Sequence, residues 1–380
     1  MINLSRTIPN AQKPLCSTPR SFGTSTFGTI VLSLRSHHRP RDYPILGRSH
    51  GAWCSTLQGR SRGGSVLPRR MTTTSQEPLR FPVTPYPTEA ELARREPVRT
   101  AGCVVIGDEI LNGKTRDSNA HFLAQQAFRL GIRLATIVVV PDEENAIVQA
   151  VRTLCRPDSG VDIVITSGGI GPTHDDITYQ SLAKVYDAEG SLSYDAETIR
   201  RMELYNGRKV GTATVTEAQR VARHRMALFP TRSCTVLAVD PLLWVPVVAL
   251  NHKVFILPGV PGLFQQLLQA LLCHYIPLPP DSEKPHRLLL QTTLPESLIA
   301  PILSRLAEEF STDNIKLGSY PNLVSGIVNV SLIGTHAERL DQAAARVQRE
   351  LDALGGPNNN NTSCHAASGN NPNNSTDNKL

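Results

Sequence analysis

Four short apolar runs, at 103–106, 135–140, 162–166 and 254–257, are each bounded by Gly, Pro or charge. Amphipathic stretches of helical length follow at 119–130, 143–154 and 262–275. Continuous β-branched runs belong to strands buried on both faces, and such strands need helices above and below them. The pattern predicts an α/β fold, a three-layer α/β/α domain with a mostly parallel sheet over about 98–280. Ser118 is placed to cap the first helix. Asp142, Glu143 and Glu144 fall in the first turn of the second, where the helix dipole favours acids. From 286 the order changes to strand, helix, strand, helix over 286–293, 297–310, 327–333 and 338–354. This predicts a small α+β C-terminal subdomain over 285–354, behind a linker at 277–285.

The chain carries 39 Lys and Arg against 33 Asp and Glu, a net charge of +6. Taken whole, that balance suggests a nucleic-acid partner. Its distribution removes the suggestion: residues 1–80 hold twelve basic residues and two acids, which leaves the remaining 300 residues at −4. No nucleic-acid partner is therefore expected. No apolar run approaches the roughly 20 residues of a membrane-spanning helix, so no membrane partner is expected either. The seven cysteines stand singly, without a CxxC pair, which argues against a disulfide framework or a structural zinc site.

Residues 1–80 are rich in Arg, Ser, Thr, Gly and Pro and almost free of acids, the composition of an organellar transit segment or of a disordered basic leader. Pro9 and Pro14 interrupt a presequence helix, and Met71 is an alternative start. Mitochondrial and cytoplasmic residence are the two expectations. Residues 355–380, with nine Asn among Gly, Pro and Ser, are expected to form a disordered tail.

In open parallel sheets ligands bind outside the carboxyl ends of the strands, so the loops leaving those ends come first. One is Gly107-Asp108-Glu109-Ile110-Leu111-Asn112-Gly113, running on to Asp117-Ser118-Asn119. It puts two adjacent carboxylates after a strand; a solvated turn is the plain alternative. The second is Thr166-Ser167-Gly168-Gly169-Ile170-Gly171-Pro172-Thr173-His174-Asp175-Asp176. Its glycines let backbone N–H groups approach an anion. The plain alternative is a capping box, with Thr173 as N-cap and Asp176 at the third helical position. The third, Pro258-Gly259-Val260-Pro261-Gly262, turns tightly from a strand into a helix. Further on, Gly318-Ser319-Tyr320-Pro321 reads as a short turn whose Tyr320 either stacks on a flat ligand ring or packs.

Carboxylates at the mouth of a phosphate cradle repel phosphate, and a divalent cation between the two removes the conflict. The expected metal ligands are Asp108, Glu109, Asp175 and Asp176, holding Mg, Mn or Co, with Asp108, Asp175 and Asp176 carrying the chemistry. The expected substrate-binding set is Ser167, Gly168, Gly169, Gly171, Pro172, Thr173, Asn119, Pro258, Gly259 and Tyr320. No nucleophile triad is evident. His174 is the one histidine in these loops, and Cys103 and Cys155 sit in apolar contexts where a thiol is inert.

With these loops in hand, the sequence resembles the molybdopterin-binding-like (MoaB/Mog) domain family. Ile106-Gly107-Asp108-Glu109-Ile110-Leu111-Asn112-Gly113, Gly168-Gly169-Ile170-Gly171-Pro172-Thr173-His174-Asp175-Asp176-Ile177-Thr178 and Leu257-Pro258-Gly259-Val260-Pro261-Gly262 are similar to its three signature segments, in the same order. Val140-Pro141-Asp142-Glu143, Ala300-Pro301-Ile302-Leu303 and Gly318-Ser319-Tyr320-Pro321 resemble one branch, shared by bacterial CinA proteins and the N-terminal half of eukaryotic FAD synthase. The resemblance covers roughly 100–354.

That branch implies metal-dependent hydrolysis of dinucleotide diphosphates such as FAD and ADP-ribose, whereas Mog relatives bind and adenylylate molybdopterin. The resemblance therefore implies a FAD diphosphatase, acting on a small-molecule dinucleotide and releasing FMN and AMP. Two alternatives stay open: molybdopterin binding or adenylylation, and a non-catalytic flavin or pterin nucleotide binder. FAD synthesis is not expected, because no PAPS-reductase-like domain is expected after Leu354; the CinA amidase domain is likewise not expected. Relatives of this fold are often dimers or trimers, so a homo-oligomer is an open expectation.

Overall fold

A computed structural model describes residues 78–210, 215–355 and 364–365. The leader, but for its last three residues, and most of the expected tail lie outside them. Among the described residues no helix is long and apolar enough to cross a membrane.

An extended strap comes first. Phe81 N–H donates to the Pro241 carbonyl at 2.8 Å and Thr84 N–H to that of Ala238 at 2.9 Å. The Arg201 guanidinium donates to the Pro82 carbonyl at 2.8 Å and lies 5.6 Å over the Phe81 ring. The strap leads through α1 (Glu89–Ala93), closed by a Thr88–Glu91 capping box, into β1 (Thr100–Ile106). Then follow α2 (Asp108–Leu111), α3 (Asn119–Arg129), β2 (Arg133–Val140), α4 (Glu144–Cys155), β3 (Ile163–Ser167) and α5 (Thr178–Tyr186). An excursion of β4 (Leu192–Tyr194), α6 (Ala196–Val210), α7 (Glu217–His224) and β5 (Leu228–Pro230) precedes β6 (Cys234–Leu237), β7 (Val247–Leu250), β8 (Val254–Leu257) and α8 (Pro261–His274).

The main sheet has the order β2-β1-β3-β8-β7-β6. Its first four strands run parallel, β7 alone is reversed, and the edge strand β6, antiparallel to β7, resumes the common direction. Side chains alternate across it. Cys103, Val105, Ile163 and Ile165 pack on α3 and α8 through Leu123, Phe264 and Leu267. Val104, Ile106 and Val164 pack on α4 and α5 through Ile147, Val151 and Leu182. Helices on both faces make this the expected three-layer domain, and each fully buried Leu or Ile contributes about 1.5–3 kcal/mol to it. Burial also pushes the Cys103 thiol up to about 12, so it serves as packing.

Two helix starts differ from expectation. Ser118 makes no capping bond, because its own backbone is already helical at φ −107°, ψ −15°. Asp117 does the work instead, its Oδ1 accepting from Asn119 N–H at 2.9 Å and Ala120 N–H at 3.1 Å. Of the three acids expected in the first turn of α4, only Glu144 lies there.

The C-terminal subdomain runs β9 (His286–Thr292), α9 (Glu296–Phe310), β10 (Lys316–Asn322), β11 (Ile327–Gly334) and α10 (Ala337–Gly355). Both helices pack on one side of an antiparallel sheet, Leu303, Leu306, Val347 and Leu351 meeting Leu290, Val330 and Leu332. Gly318-Ser319-Tyr320-Pro321 is thus not a turn. It is the middle of β10, with Tyr320 paired to Asn329 and Pro321 to Val328. Gly and Pro mimic a turn in sequence, but at a sheet edge no partner strand calls on the missing Pro N–H. The expected tail contributes β12 (Cys364–His365), which pairs with Leu289 and Leu290 on the other edge.

Candidate functional site

β1, β2, β3 and β8 all end on the same edge of the sheet, and β1 lies between β2 and β3, so the crossovers leave it in opposite directions. This is the switch point at which doubly wound sheets bind ligands. Four loops meet there, the three singled out above and the Pro141-Asp142 end of β2.

Close backbone contact assembles them. Gly168 has φ +111°, and a Cβ on it would stand 2.1 Å from the Ile106 carbonyl oxygen; a Cβ on Gly259 would stand 3.2 Å from Gly168 Cα. Asn119, 5 % exposed at the start of α3, ties the ends of β3 and β8 together. Its Nδ2 donates to Ser167 Oγ at 2.9 Å and to the Gly259 carbonyl at 2.8 Å. Ser167 Oγ in turn reaches toward the buried Pro258 carbonyl at 3.5 Å.

The glycine loop does not begin a helix at Thr173. α5 starts at Thr178, whose hydroxyl donates to the Gly168 carbonyl at 2.9 Å and whose N–H donates to the Gly169 carbonyl at 2.9 Å. The capping-box alternative is therefore not what forms. Asp176 instead closes the loop on itself, accepting from Gly171 N–H at 2.6 Å, from Thr173 N–H at 3.0 Å and from the Thr173 hydroxyl.

These bonds consume most of the expected phosphate cradle. Gly168 N–H goes to the Leu257 carbonyl at 3.2 Å, and those of Gly171 and Thr173 go to Asp176. Between Gly168 and Thr173, the N–H groups of Gly169 and Ile170 are the ones without a protein acceptor among the described residues. Pro172 is exposed on the loop's outer limb.

The carboxylates gather at the mouth, with a different membership from that expected. Asp142, read in sequence as a helix acid, accepts from Asp108 N–H at 3.0 Å. Burial, together with the like charges of Asp108, Glu109 and Asp175, raises its carboxyl above the ordinary aspartate value. The signal that could have found it is the Pro-Asp pair at a strand's carboxyl end. Arg225, just after α7, also escaped the sequence reading; its guanidinium approaches the His174 and Asp176 carbonyls at 3.5 and 3.4 Å. His174 itself is fully in solvent, 3.9 Å from Asp175.

Among the described residues no group of three His, Cys, Asp or Glu side chains stands close enough to hold a metal ion. Asp108, Asp175 and Asp176 thus do not form a ready-made centre, and Asp176 is occupied with its loop. The donor chemistry nonetheless suits a hard cation, since Asp108, Glu109, Asp142 and Asp175 are oxygen ligands whose mutual repulsion a cation relieves. Tyr320 stands apart, 62 % exposed on β10, and among the described residues no hydrogen bond or ring contact joins it to the loops. A cavity of about 610 Å³, lined by Thr84, Gly160, Asp162, His252 and Tyr275, opens at the opposite edge, where β3 and β8 begin.

The raised Asp142 carboxyl has a sign that can be tested. Its ordinary value is 3.8 and its folded value is higher, so the folded state binds the proton more tightly. The resulting destabilisation is absent below pH 3.8, grows as pH rises through the folded value and is complete at neutral pH. Asp142→Asn keeps an acceptor for Asp108 N–H, so thermal melts should show it more stable than the wild type at pH 7 and level with it at pH 3.5. A variant less stable at pH 7 would show that the ionised carboxylate is favoured there.

Comparison with known proteins agrees with this architecture. Residues 102–278 match the model of a probable molybdopterin binding domain, and residues 284–355 match that of the FAD synthase middle domain. A protein named probable FAD synthase from Caenorhabditis elegans is 33% identical over 274 residues, covering 67% of this chain and 50% of that protein. A CinA-like protein from Mycobacterium leprae is 34% identical over 169 residues, 44% of this chain and 38% of its own length. The crystal structure of CinA from Thermoplasma acidophilum has 31% identity and a TM-score of 0.39, and covers 46% of this chain and 97% of that one. The chain spans about half the length of the curated FAD synthase relatives it matches. With the two family matches in tandem along one chain, it belongs to the molybdopterin-binding-like (MoaB/Mog) domain family, in the branch that CinA-type proteins share with eukaryotic FAD synthase.

Proposed function

We propose that this protein is a metal-dependent dinucleotide pyrophosphatase that splits FAD into FMN and AMP. The observation that carries the reading is the pairing, at one switch point, of two unengaged backbone donors at Gly169 and Ile170 with a mouth of carboxylates at Asp108, Glu109, Asp142 and Asp175. Donors alone would suit any anion, and carboxylates alone would suit a cation. Together they suit a diphosphate that carries its counter-ion. The relatives named FAD synthase point the same chemistry toward flavin nucleotides.

On this reading Gly169 and Ile170 N–H groups bind the bridging diphosphate, and Asp176 and Thr178 fix the loop that presents them. Asp108, Glu109 and Asp175 would hold a divalent ion, of Mg, Mn or Co type. That ion supplies neutralisation of phosphate charge and a lowered pKa for the attacking water. Asp142 sets the field around Asp108 and keeps its backbone in place.

The test incubates the full chain with FAD, NADH and ADP-ribose, each with Mg²⁺, Mn²⁺, Co²⁺ or a chelator, and separates the products by chromatography. FMN and AMP released from FAD only in the presence of the metal are the expected result. Absence of turnover on all three overturns the reading and turns attention to pterin phosphates.

A further inference from the structure

Beyond the proposed reaction, we infer that the bare edge of the main sheet is a dimerisation surface, where β2 pairs antiparallel with β2 of a second copy about a two-fold axis at Val138. Gly107 N–H donates to the Val140 carbonyl at 3.1 Å, and Val140, Val138 and Thr136 lie opposite Ile106, Val104 and Gly102 in a parallel ladder. In such a ladder every second residue turns both of its backbone groups to the neighbouring strand. Those of Ile137 and Val139 therefore point off the sheet, and among the described residues nothing is bonded to them. Arg133, Ala135 and Ile137 are exposed along the same strand, Ile137 at 46 %.

An uncovered strand edge invites pairing with another chain, and folded proteins blunt such edges with proline, charge, shortness or a covering segment. The other edges here are blunted in these ways. β10 carries Lys316 and Pro321, β12 covers β9, and β4 and β5 have three residues each. The strap is bonded through Thr84 to Ala238, just past the four-residue β6. β2 has eight residues, no Pro or Gly, and one charge, Arg133, at its first position.

The ends of the strand select its occupant. Arg133 stands at the start, Asp142 and Glu143 just past the finish, and neither Arg133 nor Glu143 makes an ion pair among the described residues. A second β2 laid antiparallel in this register sets Ile137 across from Val139 of the partner subunit, which satisfies the outward backbone groups of both strands. The two side chains share the sheet face on which Val139 already packs, so the exposed Ile137 is covered. The same register sets Arg133 across from Glu143 of the partner subunit and next to its Asp142, at the carboxylate mouth. A parallel alignment in register would set like charge on like. The two-fold repeats each contact, so this one strand supplies both halves of the interface.

The test follows the mass of the full chain by sedimentation over a range of concentrations, with backbone hydrogen exchange read peptide by peptide. Wild type should be a dimer at micromolar concentration, and the segment holding the Ile137 and Val139 amides should lose its protection on dilution to monomer. Ile137→Lys should be monomeric throughout, because it sets a charge against an apolar neighbour beside the axis. Arg133→Glu, at an exposed position, should raise the dimer dissociation constant at least about tenfold, and it serves if Ile137→Lys does not fold. Adding Glu143→Arg to Arg133→Glu should restore the wild-type constant. A wild type that is monomeric throughout overturns the inference, as does a dimer that either folded variant leaves unchanged. Failure of Glu143→Arg to restore pairing overturns the antiparallel register.

Discussion

Gly168→Ala is expected to lose at least about 3 kcal/mol of stability, read as a lower urea midpoint at unchanged slope. The backbone there, at φ +111°, disfavours any side chain, and such strain costs about 1–3 kcal/mol by itself. The added methyl carbon would also stand 2.1 Å from the Ile106 carbonyl oxygen, far inside van der Waals contact. Gly168 cannot retreat, since its N–H is bonded to Leu257 and its carbonyl to Thr178. The clash must therefore push β1 away from β3. Gly113→Ala is the internal control: it has a positive φ of +76° but nothing within 4 Å, so it should cost only about 1 kcal/mol. Equal losses in the two variants would mean that the strands do not approach as closely as described.

The second large effect separates chemistry from architecture. Asp108 and Asp175 have exposed side chains, and the fold uses Asp108 mainly through its backbone N–H. The double variant Asp108→Ala, Asp175→Ala should keep its unfolding midpoint while FMN release falls by at least about 100-fold, since even partners one step removed from a metal ligand are worth about 10–100-fold. Asp176→Ala should behave differently. It removes the acceptor of the Gly171 and Thr173 donors, so it should lose about 1–3 kcal/mol of stability as well as activity. Full metal-dependent turnover in the double variant would remove these carboxylates from the reaction.

The parallel core was legible because buried strands announce themselves as unbroken β-branched runs, and β8 falls where its apolar run lies. β6 and β7 were not read as strands because they are short and carry no alternation, and β10 was disguised by Gly318 and Pro321. The three loops were legible as glycine-rich and acidic segments after strands. What they do internally was not. How far an aspartate is drawn into its own loop depends on the turn the chain takes: Asp176 accepts from the Gly171 and Thr173 N–H groups, whereas the exposed Asp175 is held below the ordinary aspartate value chiefly by the Thr173 hydroxyl. Asp142 was assigned to a helix because sequence distance hides that β1 and β2 end side by side, 34 residues apart along the chain.

The strap sets how far the polypeptide can be shortened from its N-terminal side. Phe81 and Thr84 are stitched to Pro241 and Ala238, and the Thr84 carbonyl also receives the Tyr275 hydroxyl at 2.6 Å. The first residues of the body are thus fastened to segments more than 150 positions away. Any truncation of the N-terminal segment must stop upstream of Phe81, because a cut beyond it would remove the contacts to the end of α8 and to the β6–β7 connection together. The same boundary governs where an N-terminal reporter or tag can be joined without disturbing the body.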